Sequence, residues 1–266
     1  MPTARELLAF YLEAGVDCAL SETPVNRLVE EAAIEEKPAP KPALFRTANP
    51  AAPSMPADLT PAPDAAIMSA REIAPQAASL QELRELLERF DGCALKSTAT
   101  RLVFADGNPQ AKVMFVGEAP GRDEDLEGLP FVGRSGKLLD LMMAAIGLDR
   151  SKVYIANIIP WRPPGNRDPS AQETQICLPF IRRQIQLVDP DVLVCLGKPS
   201  SQAILNITDG IVKSRGKWFD YDTGTRKIRA TATFHPAYLL RQPISKRQTW
   251  QDMRAVQKAL QADKAT

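Results

Sequence analysis

Residues Val113 to Asp140 read VMFVGEAPGRDEDLEGLPFVGRSGKLLD, and this stretch decides the fold class of the chain. An apolar run ends abruptly at Gly117, a loop rich in glycine and carboxylates follows, and the start of a helix comes after it. In α/β proteins a buried strand delivers such a loop to the edge of the sheet, where ligands bind. We therefore predict an α/β protein with a site at the end of this strand.

The region that follows repeats this alternation of apolar runs and helical patterns. We predict strands at residues 112–116, 153–158, 192–196 and 229–234. We predict helices at residues 137–146, 170–188, 200–205 and 245–261. Strands that alternate with helices are typical of a parallel sheet with helices on both faces. The predicted fold is a three-layer α/β/α domain around a central four-stranded parallel sheet.

The N-terminal third has a different composition. Residues 1–35 contain a helical segment, RELLAFYLEAGVDCAL, in which Leu7, Leu8, Tyr11 and Leu12 share one face. Residues 36–78 hold nine of the 23 prolines and much alanine, so we predict a disordered linker there. Order resumes with a capping box, Ser79-x-x-Glu82, and the α/β domain is expected to span residues 79–262.

Charge and composition exclude some classes of protein. The 266 residues carry a net charge of +1, so any DNA binding needs a local basic face rather than a global field. Apolar residues make up 44% and charged residues 24%, as in ordinary globular proteins, and no apolar run is long enough to span a bilayer. We expect a cytoplasmic monomer without membrane contact.

The loops that follow the four predicted strands should meet at one edge of the sheet, because parallel strands place their carboxyl ends together. These loops are Gly117–Asp125, Asn157 with the following PWRPPGNR, the run Gly197-Lys198-Pro199-Ser200, and the run His235-Pro236-Ala237-Tyr238. A glycine-rich backbone lets amide N–H groups approach a ligand oxygen. An asparagine amide can read a nucleobase edge. The sequence therefore predicts one convergent site.

Each of these features also has a purely structural interpretation. Gly117 and Gly121 can serve a tight turn, His235 can be a core histidine, and Asn157 can cap a strand. Two other kinds of enzyme are excluded: a Walker motif would need glycine at Phe131, and no G-x-S-x-G elbow of a hydrolase is present. Cations interleaved with aromatic residues indicate DNA contact, with a scattered solvated surface as the alternative.

Four motifs resemble the family 4 uracil-DNA glycosylases: GEAPGRDED, LPFVGRSGKLLD, VYIANII-x-x-RPPGNR and HPAYLLR. They occur in the same order and with similar spacing, and the resemblance covers roughly residues 80–260. It implies a hydrolase that flips uracil out of DNA, cuts its N-glycosidic bond and leaves an abasic site for base excision repair.

The resemblance also implies roles for individual residues. The catalytic positions are Glu118, Glu124 (expected to help place water) and His235 (expected beside the leaving group). The uracil-binding positions are Gly117, Ala119, Phe131, which stacks on the base, and Asn157, which reads its edge. The DNA-binding positions are Asn166, Arg167, Pro236, Ala237, Tyr238 and Arg241. Since Ala119 stands where the best-known uracil glycosylases carry a catalytic aspartate, the carboxylate that activates water stays open.

The family holds a [4Fe–4S] cluster on four cysteines, and here the chain departs from the family. Two of the four positions are occupied by Phe90 and Trp161, and only Cys93 and Cys177 match. Two thiolates cannot hold a cluster that needs four cysteine ligands unless new ligands are supplied. We predict that no ordinary cluster forms and that Phe90 and Trp161 pack into the vacated volume.

Two other functions stay open at this point. One is a non-catalytic module of the same fold that binds DNA or DNA damage, and the other is a glycosylase with a shifted base preference. The expected partner is uracil-containing DNA, at the nucleoid of a bacterial-type cell. We also predict that the N-terminal helix, residues 1–35, docks a repair or replication protein.

Overall fold

The computed structural model describes residues 63–262. Within them, one sheet is built from β1 (Asp106–Gly107), β2 (Val113–Gly117), β3 (Val153–Asn157), β4 (Val192–Leu196), β5 (Trp218–Asp222) and β6 (Lys227–Thr233). The strand order is β1-β3-β2-β4-β6-β5. The predicted N-terminal helix and most of the predicted linker lie outside the described residues.

The prediction of a four-stranded sheet needs correction, because two more strands pair at its edges. The four predicted strands form the parallel centre, while β1 and β5 pair antiparallel at the two ends. The sequence gives little sign of either edge strand. β1 has two residues, and β5 alternates between exposed and half-buried residues and has no fully buried position.

The ten described α-helices surround this sheet. They are α1 (Pro63–Ile73), α2 (Leu80–Arg89), α3 (Leu95–Thr98), α4 (Arg122–Glu127), α5 (Arg134–Ala144), α6 (Ala171–Val188), α7 (Lys198–Leu205), α8 (Ile211–Ser214), α9 (Pro236–Arg241) and α10 (Lys246–Ala262). None of them is long and apolar enough to cross a bilayer.

Two separate hydrophobic cores lie on the two faces of the sheet. Alternate strand residues divide between them: Met114 and Leu193 belong to the core with α1, α2 and α6, whereas Phe115 and Val194 belong to the core with α5 and α10. Successive side chains of a strand point to opposite faces, so a strand buried on both sides reads as a continuous apolar run. The predicted three-layer α/β/α architecture is confirmed.

Residues 63–76 are helical and pack against the domain, which corrects the predicted linker over this part. Ala66, Ala70, Ala74 and Ala77 are buried in the first core, and the Ala77 carbonyl accepts a hydrogen bond from Arg183 Nε at 2.9 Å. Alanines three or four residues apart form a narrow stripe that lets α1 pack closely on α6. The proline-rich composition of this region makes the stripe hard to recognise in the sequence. The first described helix begins at Pro63, 16 residues before the predicted boundary at residue 79.

The register of the central strands sets the position of the site. Gly117 at the end of β2 pairs with Asn157 at the end of β3, and Leu196 of β4 pairs with Thr233 of β6. The four strands therefore end level with one another. The loops that leave them meet at one edge, as predicted from the alternation of strands and helices.

Candidate active site

A cavity of about 610 Å³ opens at the carboxyl edge of the sheet. It is lined by the predicted residues Glu118, Ala119, Glu124, Phe131, Asn157, Asn166, Arg167, His235, Ala237, Tyr238 and Arg241. Two predicted residues, Gly117 and Pro236, are buried next to this lining and do not belong to it. Asp168 and Ile211 line the cavity too, although no sequence pattern singles them out.

Asn157 ends β3 inside the cavity, and its amide oxygen lacks a partner. The residue is only 4% exposed, and Oδ1 is the single buried side-chain N or O atom between residues 63 and 262 with no hydrogen bond. Leaving a buried polar atom unpaired costs about 1–3 kcal/mol. An N–H donor of a ligand would remove this cost, so the site is preorganised to accept one.

Gly117 is required here because there is no room for a side chain. A Cβ atom at this position would overlap the Asn157 amide oxygen and the Phe131 ring. The glycine thus lets three groups that are distant in sequence close on the same space.

Phe131 is held in an unusual backbone conformation. Its φ of +56° is in the left-handed region, which costs a non-glycine residue about 1–3 kcal/mol. Two neighbours fix it there. Arg150 donates hydrogen bonds to the carbonyl oxygens of Phe131 and, at 3.2 Å, Pro130. The Phe131 carbonyl also packs so closely on Gly136 that a Cβ atom at residue 136 would overlap it. The ring lies 5.5 Å from that of His235. The strain is consistent with a ring held in place for a ligand.

Glu118 is a half-buried carboxyl on the cavity wall. Burial, followed by the negative charge of Asp168, raises its pKa to about 6. A carboxylate whose pKa lies this close to neutral pH can take up a proton from water during a reaction. The influence of Asp168 on Glu118 becomes visible only once the chain is folded, because the two residues are distant in sequence.

Glu124 links the two glycine-rich loops of the site. One carboxylate oxygen accepts the Gly121 N–H at 3.1 Å, and the other accepts the N–H groups of Val132 and Gly133, both at 3.1 Å. The side chain therefore acts as a clamp that orients both loops. Its expected part in placing water stays a prediction, to which this geometry adds a positioning role.

His235, the only histidine of the chain, follows β6 and caps α9. Its Nδ1 accepts the Ala237 N–H at 3.1 Å, so the ring proton of the neutral form resides on Nε2. Burial, with a smaller effect from the charge of Arg241, lowers its pKa to about 4. At neutral pH His235 is therefore an uncharged N–H donor.

The predicted DNA-facing residues differ in whether their side chains already have hydrogen-bond or ion-pair partners within the protein. Both guanidinium NH groups of Arg167 bind Glu173, at 2.9 and 2.6 Å, so its charge is already paired. Asn166 accepts a hydrogen bond from Arg162 Nε at 2.7 Å. Arg241 is exposed at the cavity and has no carboxylate within 4.0 Å in the part of the chain that the structure describes.

The residues at the remnant cluster positions do not fit a [4Fe–4S] group. Cys93 and Cys177 place their sulfur atoms 4.0 Å apart, and the neighbouring thiol and burial hold the pKa of Cys177 well above its usual value. Phe90 and Trp161, 6% and 2% exposed, fill the same core, and the ring of Phe90 packs 5.0 Å from that of Phe180. Among residues 63–262 no group of three or more His, Cys, Asp or Glu side chains could hold a metal.

The sequence profile of the uracil DNA glycosylase superfamily matches residues 104–254. This span contains the whole sheet and every residue that lines the cavity. Curated relatives indicate which family within the superfamily the chain is most similar to. The type-4 uracil-DNA glycosylase of Archaeoglobus fulgidus is 45% identical over 155 residues, which are 57% of this chain and 78% of the relative.

Two further type-4 uracil-DNA glycosylases are similar over comparable lengths. That of Saccharolobus solfataricus is 36% identical over 71% of this chain and 89% of its own length. That of Thermotoga maritima is 39% identical over 61% of this chain and 83% of its own length. The chain therefore belongs to the uracil DNA glycosylase superfamily and, within it, to the type-4 family.

Proposed function

We propose that this protein is a uracil-DNA glycosylase, which hydrolyses the bond between uracil and deoxyribose and leaves an abasic site for base excision repair. The observation that carries the proposal is the unpaired Oδ1 of Asn157, buried in the cavity beside Phe131 and His235. Uracil presents an N–H donor between two carbonyl groups, which is the edge that an amide can pair with. The stacking ring of Phe131 covers the face of the base.

The residues of the cavity match the charges that the reaction develops. Breaking the glycosidic bond leaves negative charge on the uracil ring and positive charge on the sugar. The neutral Nε2–H of His235 and the backbone N–H groups after β2 are donors for the anion. The carboxylate of Glu118 favours the cation and can accept the proton of the water that adds to the sugar carbon.

An excision assay with a single substitution tests this proposal. The full-length protein is incubated with oligonucleotides containing one uracil, and alkali-labile abasic sites are counted. We expect Asn157→Ala to lower the single-turnover rate by about 100-fold or more, since it removes a preorganised hydrogen bond to the base. Asn108→Ala, which lies outside the cavity at the opposite end of the sheet, serves as the control.

Equal rates for Asn157→Ala and the wild-type protein would contradict the assignment of the base-reading edge. Tight binding of uracil-containing DNA without any cleavage would favour a non-catalytic module, and cleavage at another base in preference to uracil would favour a shifted specificity.

We further propose that the protein works without a [4Fe–4S] cluster. The 4.0 Å thiol pair and the buried aromatic residues at the other two positions support this, because the space is occupied by packed side chains. Elemental analysis of protein purified without oxygen should find no stoichiometric iron. About four iron atoms per chain, with matching acid-labile sulfide, would overturn the proposal.

The remaining proposals concern partners and location. We propose that Asn166, Tyr238 and Arg241 contact the DNA and that the protein acts as a cytoplasmic monomer at the nucleoid. We also propose that residues 1–35 dock a repair or replication protein. Deletion of residues 1–62 should then leave excision from oligonucleotides unchanged and reduce repair in cells. Unchanged cellular repair would contradict the docking role.

A further inference from the structure

We propose that α8 is a second DNA-contacting wall of the site, in which Val212 packs against the DNA beside the flipped nucleotide and Lys213 meets a phosphate. This inference rests on the proposed function and extends it to a surface outside the motifs discussed above. It starts from an apolar side chain in an unexpected place. Val212 is 68% exposed although it belongs to a helix that borders the cavity.

The position of α8 beside the cavity follows from its first residue. Ile211 lines the cavity together with Tyr238 and Arg241 of α9. Val212 and Lys213 are the next residues of the same helical turn, and both are exposed. We infer that a DNA strand that delivers a base into the cavity passes close to them.

Strong contacts hold α8 in place against the floor of the site. Arg215, which directly follows the helix, forms an ion pair with Asp252, with Nε 3.0 Å from Oδ2, and Asp252 also accepts a hydrogen bond from Thr233 at 2.7 Å. The guanidinium of Arg215 lies 5.7 Å from the ring of Phe234, which stacks on Tyr238. The exposure of Val212 is thus a feature of an anchored helix.

The charge around Val212 identifies DNA as the occupant. Residues 209–217 contain the cations Lys213, Arg215 and Lys217 and one exposed carboxylate, Asp209, and Arg215 is already paired with Asp252, so the free positive charge comes from the two lysines. Lys213 and Lys217 are exposed and have no acidic side chain within 4.0 Å among residues 63–262. Proteins that unstack bases combine exposed apolar wedges with cations for the phosphates.

A second exposed apolar residue supports a surface shared by two elements. Ile244, just after α9, is 87% exposed. Exposed aliphatic side chains thus lie in α8 and just beyond α9, two of the helices that contribute residues to the cavity lining. Exposed aliphatic groups beside a base-sized cavity suit the stacked faces of neighbouring nucleotides.

Matched substitutions separate a DNA contact from a general surface effect. Val212→Ser is compared with Leu141→Ser on α5, because Leu141 is also 68% exposed but does not line the cavity. The full-length protein is titrated with a duplex that carries a stable abasic analogue, and single-turnover uracil release is measured in parallel. Val212→Ser should weaken binding about tenfold, because it removes two methyl groups that the DNA would bury. Leu141→Ser should bind within about twofold of the wild type.

The charge is tested in the same way. Lys213→Gln should reduce the slope of log affinity against log salt concentration by about 0.9, the value for one lost phosphate contact. Lys258→Gln should leave the slope unchanged. Lys258 is exposed on α10, and its neighbour Gln257 lies at the opposite end of the sheet from the cavity.

Two results overturn the inference, and they are distinguishable. If the wild-type protein releases uracil but Val212→Ser binds as Leu141→Ser does, with both melting temperatures unchanged, only the role of α8 fails. If the wild-type protein neither releases uracil nor binds the duplex, the proposed function fails and the inference fails with it.

Discussion

Glu118 and His235 both have pKa values moved by burial, in directions that keep one carboxylate near its titration point and the imidazole neutral. The pKa of Glu118 is raised to about 6 and that of His235 is lowered to about 4. In each case burial disfavours the charged form, and a nearby group of like charge adds to it. The pair thus offers a base and an uncharged donor at the same pH.

We expect kcat/KM to fall as pH drops below about 6, because Glu118 then becomes protonated. Glu118→Gln should lower the rate by about 100-fold or more and remove this acidic limb. Asp168→Asn is the informative second variant, because it removes the negative charge that contributes to the raised pKa of Glu118. The acidic limb of its pH–rate profile should move to lower pH, and the rate at neutral pH should be retained. A rate that stays constant from about pH 5 to 8 in the wild type would contradict the role of Glu118.

The same shift makes a prediction about stability. Because the folded-state pKa of Glu118 is raised, the folded state holds this proton more tightly than the unfolded chain. The stabilising contribution is present below the unfolded pKa and is lost as pH rises through about 6. Glu118→Gln should therefore melt at a higher temperature than the wild type at about pH 8 and at nearly the same temperature at about pH 4.

At the scale of elements, Arg150 joins β1 and α5 to Phe131, the residue proposed to stack on the base. Its guanidinium pairs with Asp106 of β1 and, through Nε at 2.8 Å, with Asp140 of α5, while it also binds the carbonyl of Phe131. The short edge strand β1 therefore has a structural role. It supplies a carboxylate that orients the arginine behind the site.

We predict that Arg150→Met lowers kcat/KM about tenfold or more, because the Phe131 loop loses the contact that holds its left-handed conformation. Arg226→Met is a matched control, since Arg226 also bridges two aspartates, Asp189 and Asp191, but lies away from the cavity. Both variants should lower the melting temperature. If both also lowered the excision rate equally, the effect would be one of stability, and the positioning role of Arg150 would be refuted.

The elements that could be predicted from the sequence are those with a strong periodic signal. Three of the four central strands, β2, β3 and β4, are nearly continuous apolar runs, whereas β6 alternates alanine with threonine and arginine. The helix α6 begins with a capping box in which Ser170 accepts the Glu173 N–H. The missed elements have weak signals for physical reasons. In α1 the buried face is made of alanine, which contributes little hydrophobic contrast, and in β5 only one face contacts the core.

The site was predictable for a related reason. Asn157 and His235 are polar residues that directly follow apolar runs, and the topology of a parallel sheet brings such residues together. Asp168, Ile211 and Arg150 lacked this signal because their roles depend on distances that arise only in the folded chain. The clamp formed by Glu124 was likewise hidden, since its partners are backbone N–H groups.

At the scale of the whole molecule, two positions at which the family resemblance implies cluster cysteines are occupied by aromatic side chains that pack in the core. The remnant thiols, Phe90 and Trp161 belong to the core on the face of the sheet that carries α1 and α6, whereas the cavity is lined by loops at the carboxyl edge. Because these regions are built from different side chains, we expect the residues proposed to bind the base to keep their positions without the cluster ligands.

The most direct test of this account measures free uracil released from a uracil-containing oligonucleotide by the full-length protein, with iron counted in the same sample. The account predicts one uracil released per substrate site by protein without stoichiometric iron. Release that occurs only in the iron-bearing fraction, or no release from folded protein, would contradict it.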